Sequence, residues 1–163
     1  MEFKRSGLKC HGLAAALVIG AALFFGVAGT AHAAGKTCKL EISGNDSMQY
    51  DKKELVAAAD CTEIELTLKH SGKLAAQVMG HNWVLSKAAD APAVASAGIA
   101  AGLKGNYVQA DDKRVIAHTK VVGGGESDTV KFSTAALKKG EAYAFECTFP
   151  GHNSVMKGTL KFG

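Results

Sequence analysis

Between Tyr143 and Phe162 the sequence allows little besides two strands joined by a sharply turned loop. Tyr143-Ala-Phe-Glu-Cys147 alternates with the period of a strand, and Thr159-Leu-Lys-Phe162 resumes the alternation. Pro150-Gly151 between them is turn chemistry, which excludes a helix face. The loop carries Cys147, His152 and Met156, and a strand-loop-strand return lets all three point into one pocket. Thiolate and thioether are soft donors that suit copper(I), while imidazole suits copper in either oxidation state. One Cys and two His with a weak axial Met describe a blue-copper electron-transfer centre, so the loop calls for a second histidine from elsewhere. Taken alone, the same residues read equally as a small buried hydrophobe and a gap-filling methionine. The rest of the chain decides between these readings.

The first 33 residues have the layout of an export signal. Lys4, Arg5 and Lys9 form a basic start, Leu13 to Val27 is apolar and uncharged, and Ala31-His32-Ala33 is a small-x-small cleavage site. The apolar run is shorter than the ~20 residues of a membrane span and is diluted by Gly and Ala. The expected organisation is therefore a cleaved signal, 1–33, and a single exported domain, 34–163. A chain of that size buries roughly two-thirds of its unfolded surface, enough for a core. The formal charge of +4 falls to +2 when three Lys/Arg and one Glu leave with the signal. That is too little to imply nucleic acid or stable attachment to an anionic membrane.

Four cysteines and six histidines are present, of which Cys10, His11 and His32 belong to the signal. Three cysteines remain, an odd number for an exported chain. Cys38 and Cys61 both flank predicted strands and are the natural disulfide pair in an oxidising compartment. Cys147 is left over, and a metal gives a free thiol a reason to persist there. Among His70, His81, His118 and His152, His81 is the best second imidazole. It follows Gly80, which permits close backbone approach, and opens the apparent strand His81–Ser86. His70 and His118 fit equally as satisfied core or surface histidines.

Strand periodicity recurs at Lys39–Ser43, Thr62–His70, Arg114–His118, Ser127–Phe132 and Ala142–Cys147, separated by turn material such as Gly123-Gly-Gly125 and Lys138-Lys-Gly140. The stretch Ser86–Gly105 breaks the rhythm. It is rich in Ala and Gly, with Asp90 placed to cap a short helix and Pro92 in its first turn, and it reads as a helical flap outside the sheets. The predicted architecture is all-β, a Greek-key β-sandwich or barrel with that flap.

Met79-Gly-His-Asn-Trp-Val-Leu85, Val115-Ile-Ala-His-Thr-Lys120 and the segment Cys147-Thr-Phe-Pro-Gly-His152 with Met156-Lys-Gly-Thr-Leu160 closely resemble the azurins, blue copper proteins of the cupredoxin family. Gly44-Asn-Asp with Met48-Gln49 and the two early cysteines extend the likeness over Cys38 to Phe162. The resemblance implies His81, Cys147 and His152 as equatorial ligands of one copper ion, Met156 at long axial range and the Gly80 carbonyl opposite it. It also implies a Cys38–Cys61 disulfide, and Asn82 and the Phe149 amide as groups tuning the sulfur. The activity it implies is single-electron shuttling in the bacterial periplasm. Partners would be c-type cytochromes or copper or haem reductases, docking transiently at an apolar rim of Met48, Val78, Met79, Phe149 and Val155. The chain departs from the family in its Ala-rich flap and at His70-Ser-Gly72, where a proline is expected after the histidine.

Two other classes compete with an electron carrier. A copper- or zinc-buffering protein would use the same His and Cys donors, but zinc gains little from a thioether. A copper enzyme needs a second centre or an open site, and only His70 and His118 are left to build one.

Overall fold

The computed structural model describes residues 35–163, so the predicted signal 1–33 lies outside the described residues. Among the described residues nine strands form two sheets: β1 (Lys36–Asn45), β2 (Gln49–Tyr50), β3 (Glu54–Ala57), β4 (Cys61–His70), β5 (Val84–Lys87), β6 (Val115–His118), β7 (Ser127–Ser133), β8 (Tyr143–Glu146) and β9 (Lys157–Phe162). One sheet runs β2-β1-β4-β7 and the other β3-β9-β8-β5-β6, and the chain passes back and forth between them as a Greek-key sandwich. The all-β expectation holds.

The period-2 pattern explains the pairing. In β4, Ile64, Leu66 and Leu68 are fully buried, while β7 alternates exposed and half-buried along its length. Across the interior Ile42, Ile64, Leu66 and Leu68 meet Trp83, Leu85, Phe145 and Leu160, all at most 1% exposed. Each such side chain contributes about 1.5–3 kcal/mol relative to exposure. Trp83 is core packing, as its position suggests.

Three details differ from the sequence reading. The strand expected from His81 begins only at Val84, and His81 is instead held by an isolated antiparallel bridge to Val122. The short strands β2 and β3 and the four-residue helix α1 (Ala76–Met79) were not foreseen. Such short elements carry too little period to register, and β3 forms because β9 offers it a parallel edge. The flap contains helix α2 (Ala91–Ala101) with Pro92 in its first turn, but the Asp90 side chain makes no capping hydrogen bond because its backbone is already helical. Val94 of α2 packs with Val84, Val108 and Val115 into a second small core outside the sheet.

Cys38 and Cys61 form a disulfide, with 5.7 Å between their Cα atoms, tying β1 to β4. Closing a loop of this size stabilises by about 3 kcal/mol on the chain-entropy account. Replacing both residues by Ala is expected to lower the melting temperature by several degrees without altering the far-ultraviolet circular dichroism of the folded state. A thiol titration of the native metal-free protein checks the pairing by finding one reactive sulfur on unfolding instead of three.

Candidate metal centre

Cys147 follows directly on β8, where the pleat turns its side chain to the interior. The loop beyond it is wound tightly on itself. His152 N–H donates to the Phe149 carbonyl at 3.0 Å, Met156 N–H to His152 O at 2.8 Å, and Cys147 N–H to Met156 O at 2.9 Å. Gly151 makes the turn with a φ of 82°, a left-handed conformation that costs glycine nothing. These bonds bring His152 Nδ1 to 3.6 Å from Cys147 Sγ.

The second imidazole arrives from the segment leading into β5, the strand paired with β8 in the same sheet. The His81–Val122 bridge fixes its backbone through bonds of 3.0 and 2.8 Å. His81 Nε2 donates to the Asn45 carbonyl at 2.8 Å, so Nε2 carries the proton and Nδ1 presents its lone pair, 4.0 Å from Cys147 Sγ. The Gly80 carbonyl lies 4.0 Å from the same sulfur. His81, Cys147 and His152 thus form one buried group whose donor atoms all lie within 4.8 Å of one another. Met156 is fully buried beside them. Its methyl group and the His81 ring both press on Gly44, where an added Cβ would sit 2.7 Å from each. Gly44 is a close-approach position that only the assembled structure reveals.

Asn82 does not face water. It is fully buried, its Oδ1 accepts from the Thr148 amide at 2.9 Å, and its Nδ2 donates to Asn106 O and Thr148 Oγ1 at 2.7 Å each. Thr148 Oγ1 donates in turn to Tyr107 O at 2.7 Å. This network straps the residue after Cys147 to the segment following α2. Thr148, Asn106 and Tyr107 carried no sequence signal for such a role. His70 and His118 stay out of the donor group. His70 is buried and satisfied, with Nε2 bonded to Met79 O and Nδ1 accepting from Gly72 N–H, and its ring stacks on His81 at 4.4 Å. His118 Nδ1 lies 3.0 Å from the Thr119 carbonyl.

Of the expected docking rim, Val78 and Val155 are well exposed, and Met48 and Met79 are half-buried. Phe149 is nearly covered and lies against the His152 ring at 4.6 Å, so it backs the rim rather than facing out.

Burial sets the protonation of the group. Desolvation pushes the Cys147 thiol up to about 12 against the opposing pull of the Asn82 and Phe149 amides. It pushes His81 down to about 4 and lowers His152 as well. At neutral pH the metal-free site therefore holds one proton on sulfur and two neutral imidazoles. Two nitrogen donors with a free lone pair and one ionisable thiol, in a dry cluster beside a thioether, suit copper.

Residues 36–163 match the family described as copper binding proteins, plastocyanin/azurin family. The chain belongs to that family. Its azurin relatives include azurin-1 of Alcaligenes xylosoxydans xylosoxydans, 56% identical over 124 residues that cover 76% of this chain and 96% of the relative. The azurin of Alcaligenes faecalis is 55% identical over 126 residues, covering 77% and 98%. Among solved structures, the azurin Az-iso2 of the obligate methylotroph Methylomonas sp. strain J superposes with a TM-score of 0.75 at 44% identity, covering 77% of this chain and 98% of that one. The azurin likeness thus spans the whole described sandwich, and the cofactor is a type 1 copper ion, with which the His81, Cys147 and His152 group is consistent.

The protonation pattern has a direct consequence. Because the thiol must ionise on metal uptake and the imidazoles are already neutral, copper(II) binding at neutral pH is expected to release about one proton. The apparent affinity should then rise about tenfold per pH unit near neutrality. Dye-detected proton release and affinity measured against pH check this, and a release of two protons would mean that an imidazole is charged in the metal-free site.

Proposed function

We infer that this protein is a one-electron carrier that cycles a blue copper between Cu(I) and Cu(II), and that its copper is held by His81 Nδ1, Cys147 Sγ and His152 Nδ1. Met156 is assigned the weak axial position and the Gly80 carbonyl the opposite side. The observation that carries the reading is the convergence of one buried thiol and two buried imidazole lone pairs beside a buried thioether. The membership of the chain in a copper-binding family that includes azurins supports it.

When bound, copper supplies a couple that gives up and takes back one electron. The chain's part is to keep its surroundings the same in both states. Two imidazoles and a thiolate are tolerable to either oxidation state, and the donors are fixed by backbone bonds on both sides, so little has to move. The Asn45 carbonyl holds His81 in one tautomer, and the Asn82 strap holds the start of the Cys147 loop. Water is excluded, since His81, Cys147 and Met156 are 0% exposed. His152 alone of the four side chains retains any exposure, 3%, and is the natural exit for an electron. Its surroundings at Met48, Val78, Met79 and Val155 form an apolar face suited to brief contact with c-type cytochromes or copper or haem reductases. The protein is read as periplasmic, with 1–33 removed on export, and as a carrier rather than an enzyme. Among the described residues no helix is long and apolar enough to cross a membrane. A zinc or copper store is the weaker reading, because Met156 would have no work in a zinc site.

Cys147→Ser is expected to abolish the intense blue absorption while the fold persists, because a hydroxyl stays protonated and is hard where softness is needed. Met156→Leu is expected to keep copper and colour but raise the reduction potential. Visible spectra with potentiometry separate the two, and an unchanged blue band in the serine variant rules out the assignment.

Met79→Lys sets a charge into the apolar face, which must then be desolvated on contact. Electron self-exchange is expected to slow at least tenfold with the visible spectrum unchanged. Line broadening in NMR spectra of partly oxidised protein measures it, and a normal rate in the folded variant removes the apolar route.

A further inference from the structure

The strand that delivers Cys147 also delivers a carboxyl group to its other face. Phe145 and Cys147 point into the main core, so Glu146 between them points out of the sheet, to the side on which α2 packs. Glu146 is nonetheless 4% exposed, and its Oε1 is buried with no hydrogen-bond partner. Lys157 stands opposite it in the β8–β9 register but is exposed and leaves that oxygen unpaired. A buried carboxyl oxygen without a partner is an unmet demand for a donor or a cation. Neither the fold nor the copper centre uses it.

Glu146 lines a cavity of ≈ 270 Å³ between α2 and the end of the loop. Ala91 and Pro92 of α2 give it an apolar wall, and Asn153, Ser154 and Lys157 complete its far side. Ser154 Oγ donates to Gly151 O and keeps its lone pairs free to accept. The carboxyl group in the lining disfavours an anion, and a compact divalent cation finds no second carboxylate there. One carboxylate, a hydroxyl and an amide beside an apolar wall match a cation that has three donors on an alkyl stem.

We propose that this cavity is a binding site for an alkylammonium group, either a free amine or the end of a lysine side chain, with the Glu146 carboxylate as its counter-charge. Asn153 adjoins His152 in sequence, so an occupant sits beside the residue assigned as the electron exit. A lysine presented by a redox partner would be anchored there while the apolar face makes contact.

The reduced, copper-loaded protein is titrated with n-butylammonium chloride, and amide shifts are followed by NMR, with n-butanol and sodium chloride as controls. Saturable shifts centred on Glu146, Asn153 and Ser154 are expected, half-complete on the order of 1 mM, as befits a single charge pair. Glu146→Gln should weaken binding at least tenfold, and Lys157→Gln should strengthen it by removing a competing cation. N-acetyl-lysine N-methylamide distinguishes the sources: tighter binding than n-butylammonium identifies a protein-borne lysine, and weaker binding a free amine. Should Glu146→Gln fail to fold, Ala91→Leu, which fills the cavity from α2, must abolish saturation. Unchanged binding in Glu146→Gln, or saturation in neither the native chain nor Lys157→Gln, overturns the proposal. Saturation in Lys157→Gln alone overturns it too, since Lys157 would then be the native occupant.

Discussion

A thiol and two imidazoles removed from water, with no counter-charge among them, are the constraint on which the rest of this structure depends. Burying an ionised thiolate without a cation is prohibitive, and burial accordingly holds Cys147 protonated, up to about 12, in the metal-free site. The same desolvation lowers His81 to about 4 and His152 below its ordinary value, so both imidazoles are neutral near neutral pH. Every group is left waiting for one soft cation. The sandwich makes this arrangement tolerable by spending its packing on a rigid frame around the donors.

That frame is polar as well as apolar. Asn82, Thr148, Tyr107 and Asn106 form a closed set of short hydrogen bonds in which each buried polar atom has a partner. A fully satisfied network of this kind fixes one arrangement, and a half-satisfied one would loosen it. The network spans from Asn82, just before β5, to Asn106 and Tyr107, just beyond the flap, so the far end of the flap is tied to the Cys147 loop. Against this background two buried atoms lack partners among the described residues: Glu146 Oε1, two residues from Thr148, and Trp83 Nε1, next to Asn82.

Electron transfer asks that donor positions be the same before and after the event, and that one edge of the site be reachable. The tight backbone bonds of the loop and the His81–Val122 bridge supply the first. The small residual exposure of His152 supplies the second. The loop's share of both follows from the turn at Pro150-Gly151, two exposed residues where the chain reverses.

The strand periods, the turn at Pro150-Gly151, the odd cysteine and the soft donors at 147, 152 and 156 were all legible in the sequence, because each is a local pattern or a property of residue type. The all-β sandwich follows from the strand periods, and the donor types point to copper, a reading that the resemblance of the ligand motifs to the azurins made specific. Only the tertiary structure decided the remainder. His81 lies 66 residues from Cys147, and its free nitrogen depends on a carbonyl at Asn45. Gly44 matters because Met156 and His81 close upon it, and Asn82 because Thr148 and Asn106 come to meet it. The strand at His81 began late because Val122 pairs with it in an isolated bridge, whereas the Asp90 cap failed because its own backbone is helical. Contacts between distant segments override local preference, and they leave no period in the sequence from which to read them.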